Sequence, residues 1–257
     1  MTIDTKKLEL SPENIITDGV ITDFKQDINN AKDANNLGLS AVLQKDGKLV
    51  VVGFSTNNDN DFALVRYNVD GSLDASFDGN GIVEGNGKFS TDFGSVITPS
   101  DDRSFSVTMI DNKIVVAGRS GSHGNFTLAQ YNGDGTLDTS FGSDQDGTVI
   151  SNFGAIDWGG NTIDDYVGSY VVKQSDGKLV VAGTEGGDFV LTRHNSDGSV
   201  DTTFGTLGKA THNYDGYSVV RSVILQQDDK IVVAGYEHTG VGIGKFGYSR
   251  DTCKNRT

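Results

Sequence analysis

The chain has 257 residues, including 34 Gly, 2 Pro, one Cys and one Trp, and its 21 Lys+Arg against 35 Asp+Glu leave a net charge of −14. So acidic a chain lacks the basic surface that displaces counterions from phosphate, which excludes nucleic acid as a partner and argues against anionic membranes. Cys253 alone forms no intramolecular disulfide, no apolar run reaches about 18 residues, and Met1 to Gly19 lacks the apolar stretch of a signal peptide, so no membrane insertion is expected.

In chain order, residues 1–18 read as an extension. A Gly-led segment ending in an aromatic, Gly19 to Phe24, is the first candidate strand, of a type designated C. Leu39 to Gln44 is a strand of type D. It leads through Asp46-Gly47, a two-residue type I′ turn signal, into Lys48 to Gly53, a β-branched run of type A that suits a strand covered on both faces. Phe62 to Tyr67 alternates and is type B. The cycle then recurs. C strands are predicted at Lys88 to Phe93, Gly147 to Phe153 and Gly208 to Tyr214, and D strands at Ser104 to Ile110, Tyr166 to Lys173 and Val219 to Gln226. The A motif returns with its lysine at Lys113, Lys178 and Lys230, and the B motif at Asn125 to Asn132 and Asp188 to Asn195, with a degenerate copy at Val241 to Gly247. No helix fits this pattern.

Four-stranded antiparallel modules at this spacing predict an all-β fold, a four-bladed β-propeller over residues 19–249, followed by a tail at 250–257. The first C and D strands lack a preceding A and B, and the last A and B lack a following C and D. One composite blade, residues 230–257 with 19–47, is therefore expected to close the ring and remove two free sheet edges.

The block Asp-Gly-Lys-Leu-Val-Val-x-Gly, followed by Phe-x-Leu-x-Arg-Tyr-Asn-x-Asp-Gly-Ser-Leu-Asp-x-Ser-Phe, resembles the delta-60 repeat of bacterial propeller-like proteins, with Asp70 to Phe77, Asp134 to Phe141 and Asp197 to Phe204 in register. More distantly it is similar to a kelch blade, which implies that A is the innermost strand. The family resemblance implies a repeated propeller in larger exported or cell-surface proteins, with no common chemistry.

Two constellations could carry chemistry. The B-to-C loops place Asp70 and Asp74, Asp134 and Asp138, and Asp197 and Asp201 in oxygen-rich turns whose spacing is that of the central part of a calcium loop. Arg66, Gln130 or Arg193 would stand at ligand position one and Phe77, Phe141 or Phe204 at position twelve, so the competing expectation is a self-satisfied Asx turn. The A-to-B loops carry Asp59, Asp61, His123, Glu185, Asp188, Glu237 and His238, which would rim the channel and could offer imidazole and carboxylate to a divalent metal or a ligand; a solvated rim explains them as well. Arg66, Arg193 and Lys245, with Gln130 in the remaining copy, are expected at one strand position, stems packed between blades and heads paired with acids. Trp158, Tyr166 and Tyr170 belong to the longest insertion, as sugar-stacking rings or as loop anchors. Neither G-x-S-x-G nor a P-loop occurs. The expected function is a non-catalytic binding or scaffold module for a protein or glycan, with no cofactor required; the alternative is a propeller lyase or hydrolase acting on glycans at the channel mouth. Partner specificity is expected in the unequal C-to-D segments 25–38, 95–102 and 155–165.

Overall fold

The computed structural model describes residues 36–56, 60–77, 88–91, 102–121, 125–151, 169–212, 217–238 and 244–251. Their strands form four antiparallel sheets. The first contains β1 (Asn36–Leu43), β2 (Leu49–Thr56), β3 (Asn60–Tyr67) and β4 (Lys88–Thr91); the second β5 (Arg103–Ile110), β6 (Lys113–Ser120), β7 (Asn125–Tyr131) and β8 (Thr148–Ser151). The third contains β9 (Tyr170–Lys173), β10 (Leu179–Glu185), β11 (Asp188–His194) and β12 (Lys209–His212), and the fourth β13 (Tyr217–Leu225), β14 (Ile231–His238) and β15 (Gly244–Asp251). Among the described residues there is no helix, and so none long and apolar enough to cross a membrane.

Strand order within each sheet follows the chain, D-A-B-C, so the predicted D strand opens its own sheet instead of ending the previous one. β1 pairs with β2 from Asn36 opposite Ser55 to Leu43 opposite Leu49. This corrects the expected composite blade: residues 39–47 belong to the first sheet, not the last. The Gly19 to Phe24 segment lies outside the described residues. Among the described residues no packing of β13–β15 on β1–β4 matches that between successive sheets. The D strands of successive sheets pack on one another, β1 on β5, β5 on β9 and β9 on β13, so D, not A, occupies the inner edge and the short C strands the outer one.

The Asp46-Gly47 hairpin also differs from the expected two-residue type I′ turn. Gln44 N donates to Lys48 O at 2.8 Å and Gly47 N to Gln44 O at 3.0 Å, with Gly47 at φ 85°. Only the glycine takes the left-handed conformation, as in a type I turn closed by a left-handed third residue. Asp229 takes the same role at φ 58° in the fourth sheet.

The core lies between sheets. Val50, Val52, Phe62, Leu64 and Phe77 of the first sheet meet Val107, Ile114, Val116 and Tyr131 of the second. Val115, Ala117, Phe126, Leu128 and Phe141 meet Val171, Leu179, Val181 and Val190 of the third. Alternation along β6 thus sends Ile114 and Val116 backward and Val115 and Ala117 forward, which is why the A motif is apolar at every position. The repeated glycine that ends the motif has a steric reason. A Cβ on Gly118 would stand 2.3 Å from Cζ of Phe62, and one on Gly183 2.3 Å from Cζ of Phe126. Each sheet's B-strand phenylalanine therefore seats on the bare backbone of the next sheet's A strand. Polar clamps accompany it: Ser104 Oγ donates to Gly53 O at 2.6 Å, and Val220 N donates to Thr184 Oγ1 at 3.0 Å.

Candidate functional site

The B-to-C loop is built alike in three sheets. After Tyr67 the chain turns back, Asn68 N donating to Ser72 O at 2.8 Å and Gly71 N to Asn68 O at 2.9 Å, with Gly71 at φ 83°. Asp70 Oδ1 accepts from Ser72 N at 3.0 Å and from Ser72 Oγ at 2.6 Å. Asp134 does the same with Thr136, and Asp197 with Ser199. The Ser72 hydroxyl and amide hold the Asp70 carboxyl below its ordinary range.

The second acid of each loop points the other way and is buried. Asp74 Oδ1 accepts from Ser76 N and Oγ, while its Oδ2 accepts from Arg66 Nε and Lys48 Nζ, both at 2.7 Å. Asp201 Oδ2 likewise takes Arg193 Nε at 2.8 Å and Lys178 Nζ at 3.0 Å. Burial alone would push these carboxyls up; the lysine and hydroxyl hydrogen bonds and the arginine charge outweigh it and hold both well below the carboxylate range. The guanidinium heads stack as well, Arg66 at 4.4 Å over the Phe77 ring and Arg193 at 4.7 Å over Phe204. Phe77, Phe141 and Phe204 are fully buried and fix each loop to the sheet interface.

The second sheet departs from this pattern. Gln130 stands where Arg66 and Arg193 stand, and among the described residues Asp138 has only Lys113 as its cation. In the fourth sheet the register places Arg250 opposite Val232, as Arg66 is opposite Val50, whereas Lys245 lies opposite Glu237. The expected equivalence of Lys245 with Arg66 is therefore corrected to Arg250, and β15 spans Gly244–Asp251. Glycine-rich degeneracy hid that register in the sequence; the pairing of Phe246 with Tyr236, matching Phe62 with Phe54, reveals it.

The rim residues sit on separate hairpins. Asp61 is half-buried on β3 opposite Ser55, Glu185 faces Asp188 across the β10–β11 hairpin and pairs with Lys209, and Glu237 and His238 end β14. Asp59 and His123, with Trp158 and Tyr166, lie outside the described residues; Tyr170 opens β9 as a half-buried side chain packed on the core between the third and fourth sheets. Among the described residues no three His, Cys, Asp or Glu side chains are grouped closely enough to hold a metal ion.

Residues 44–77, 111–141 and 174–204 match the family model described as a domain of unknown function (DUF5122) β-propeller. Each matched segment runs from a D-to-A turn through strands A and B to the loop phenylalanine. No curated protein matches. Among solved structures, a protein of unknown function from Bacteroides caccae is 10% identical with a TM-score of 0.44, the alignment covering 86% of this chain and 62% of that one. This chain thus spans under two thirds of the length of that protein. An α-L-arabinofuranosidase from Clostridium thermocellum is 12% identical (TM-score 0.43, covering 83% and 68%), and an exo-1,5-α-L-arabinanase from a bovine ruminal metagenomic library is 11% identical (TM-score 0.36, covering 80% and 71%). The three matched segments, set in four antiparallel sheets, make the chain an all-β propeller.

Proposed function

We propose that the chain is a non-catalytic propeller module that binds a protein or glycan through the segments in which its repeats differ, as part of a larger exported or cell-surface protein. One observation supports this reading above the others. Asp74, Asp138 and Asp201 hold the same place in three copies and are satisfied there by the lysine, arginine, serine or threonine of their own sheet. Catalysis needs unlike groups at equivalent positions and a carboxyl whose pKa is tuned toward neutrality; these acids are alike and are shifted the other way. The conspicuous carboxylates therefore serve their own sheets, and the unequal segments 25–38, 95–102 and 155–165 are left to serve the partner.

A glycan array run beside a product assay on plant and bacterial polysaccharides tests the reading. Saturable binding without product supports it, and product formation overturns it in favour of a glycan lyase or hydrolase. The B-to-C loops function in this reading as Asx turns without calcium. A melt with millimolar calcium is expected to match one with chelator, because only a ligand that prefers the folded state raises the midpoint; a higher midpoint would assign the loops to calcium.

A further inference from the structure

Between the second and third sheets, beside Gln130, lies a cavity of about 440 Å³, lined among others by Lys113, Gln130, Ser140, Phe141, Ser196 and Asp197. The corresponding space one sheet earlier is filled by the protein itself. There the Arg66 guanidinium donates through Nε to Asp74, through Nη1 to Gly133 O and, at 3.4 Å, to Gln44 Oε1, and through Nη2 to Ser76 Oγ at 3.4 Å, with the Phe77 ring beneath it. Ser196 for Gly133, Ser140 for Ser76 and Phe141 for Phe77 line the cavity, and Asp138, in the position of Asp74, stands two residues before Ser140 and holds Lys113, which also lines it. The arginine of this position is replaced, because residue 130 is a glutamine. Gln130 is 4% exposed, and its Nε2 has no hydrogen-bond partner among the described residues.

We infer that this cavity is a binding site for a guanidinium group carried on a small ligand, an alkylguanidine or an arginine side chain, which takes the place that Arg66 fills in the first sheet. A planar guanidinium, unlike an ammonium, satisfies a carboxylate, a hydroxyl and a backbone carbonyl at once while stacking on a ring. Lys113 is no obstacle, since Lys48 shares Asp74 with Arg66 and Lys178 shares Asp201 with Arg193. Turning its amide would let Gln130 offer Oε1 to the guanidinium as Gln44 does to Arg66. A volume of 440 Å³ exceeds that of the guanidinium itself and leaves room for the chain that carries it. The site is independent of whether the propeller binds or cleaves.

Calorimetric titration with N-acetylarginine amide, methylguanidinium and N-acetyllysine amide tests it. Saturable binding of both guanidines is expected, with the lysine probe weaker by about tenfold or more. The Gln130→Arg variant should fill the cavity, melt higher and bind neither guanidine. Binding of the two guanidines by Gln130→Arg as tightly as by the wild type, lysine binding equal to arginine, or no saturable binding would overturn the site. In the wild-type protein, independent of any variant, nuclear Overhauser contacts from the arginine δ-methylene to the Phe141 ring are expected; contacts to other rings only would place the ligand elsewhere and refute the assignment. Tighter binding of the arginine amide than of methylguanidinium would identify an arginine side chain as the source, and equal binding a free guanidine.

Discussion

The two middle sheets and the two outer ones carry the same A-strand motif yet bury it differently. On β6 and β10 every residue from Ile114 to Ala117 and from Leu179 to Ala182 is buried. On β2, Val50 and Val52 are buried while Leu49 is 36% exposed, and on β14 Ile231 and Val233 are buried while Ala234 is exposed. Leu43 at 67% and Ile224 at 57% exposed belong to the outer sheets too. The motif makes the hairpin; the neighbouring sheet makes the core. Stability in such an array is nearest-neighbour in origin, each sheet contributing through the interfaces it shares.

The sharpest way to break the comparison is to remove a residue that only an interface explains. Phe126→Ala empties the seat on Gly183 and is expected to cost about 3–5 kcal/mol in urea unfolding; a loss under about 1 kcal/mol would mean that the sheets do not depend on each other. The buried acids test it from the polar side and against the inner-outer order. Asp74→Ala strands Arg66, whose side chain is 7% exposed, and should cost about 3–5 kcal/mol. Asp138→Ala frees only Lys113, 40% exposed and able to turn to water, so it should cost less despite its place in a middle sheet. Next comes the apolar pair at one motif position: Ile114→Ala should cost about 2–5 kcal/mol and Leu49→Ala clearly less. Equal costs would show that the outer face of the first sheet is covered in solution.

Much of this was legible in the residues. Apart from β15, the described strands recur where alternation and β-branched runs place them, because a repeat in the sequence reports the same local environment several times over. The phase of the sheets was not. The Asp46-Gly47 turn signal already joined Leu39 to Gln44 to β2 as a hairpin, while the expected composite blade set it with the last A and B strands; the pairing and the hairpin hydrogen bonds place it with β2. The Asx turns were readable from Asp-Gly-Ser spacing, since their bonds are local. That the Arg66 head pairs with an acid was legible in the repeat; that the acid is Asp74, shared with Lys48, was not, and neither was the cavity at Gln130, because both depend on distances that no spacing along the chain encodes.

His194 provides the smallest and most specific test. It holds the position of Tyr67 and Tyr131, opposite Leu179, and in its middle sheet it is 2% exposed, whereas Tyr67 in the outer sheet is half-buried. Its Nδ1 lies 3.1 Å from Gly198 O and its Nε2 3.2 Å from Thr192 Oγ1, so a neutral ring that donates at Nδ1 and accepts at Nε2 satisfies both. Burial, only partly opposed by the Gly198 carbonyl, lowers its pKa from the ordinary 6.5. The unfolded chain therefore binds the proton first as pH falls. Stability is complete above about pH 6.5 and declines below it until the folded pKa is reached, with a slope of at most about 1.4 kcal/mol per pH unit for one proton. The paired aspartates, whose folded pKa values are lowered as well, lose their contribution only at more acidic pH, below the ordinary carboxylate range, so the two windows separate. Replacing His194→Tyr, the residue of the neighbouring middle sheet, should leave stability at pH 8 within about 1.5 kcal/mol of wild type and flatten the profile between pH 6.5 and 5. An unchanged slope there would assign the titration to another group and show that the buried ring does not sense its sheet.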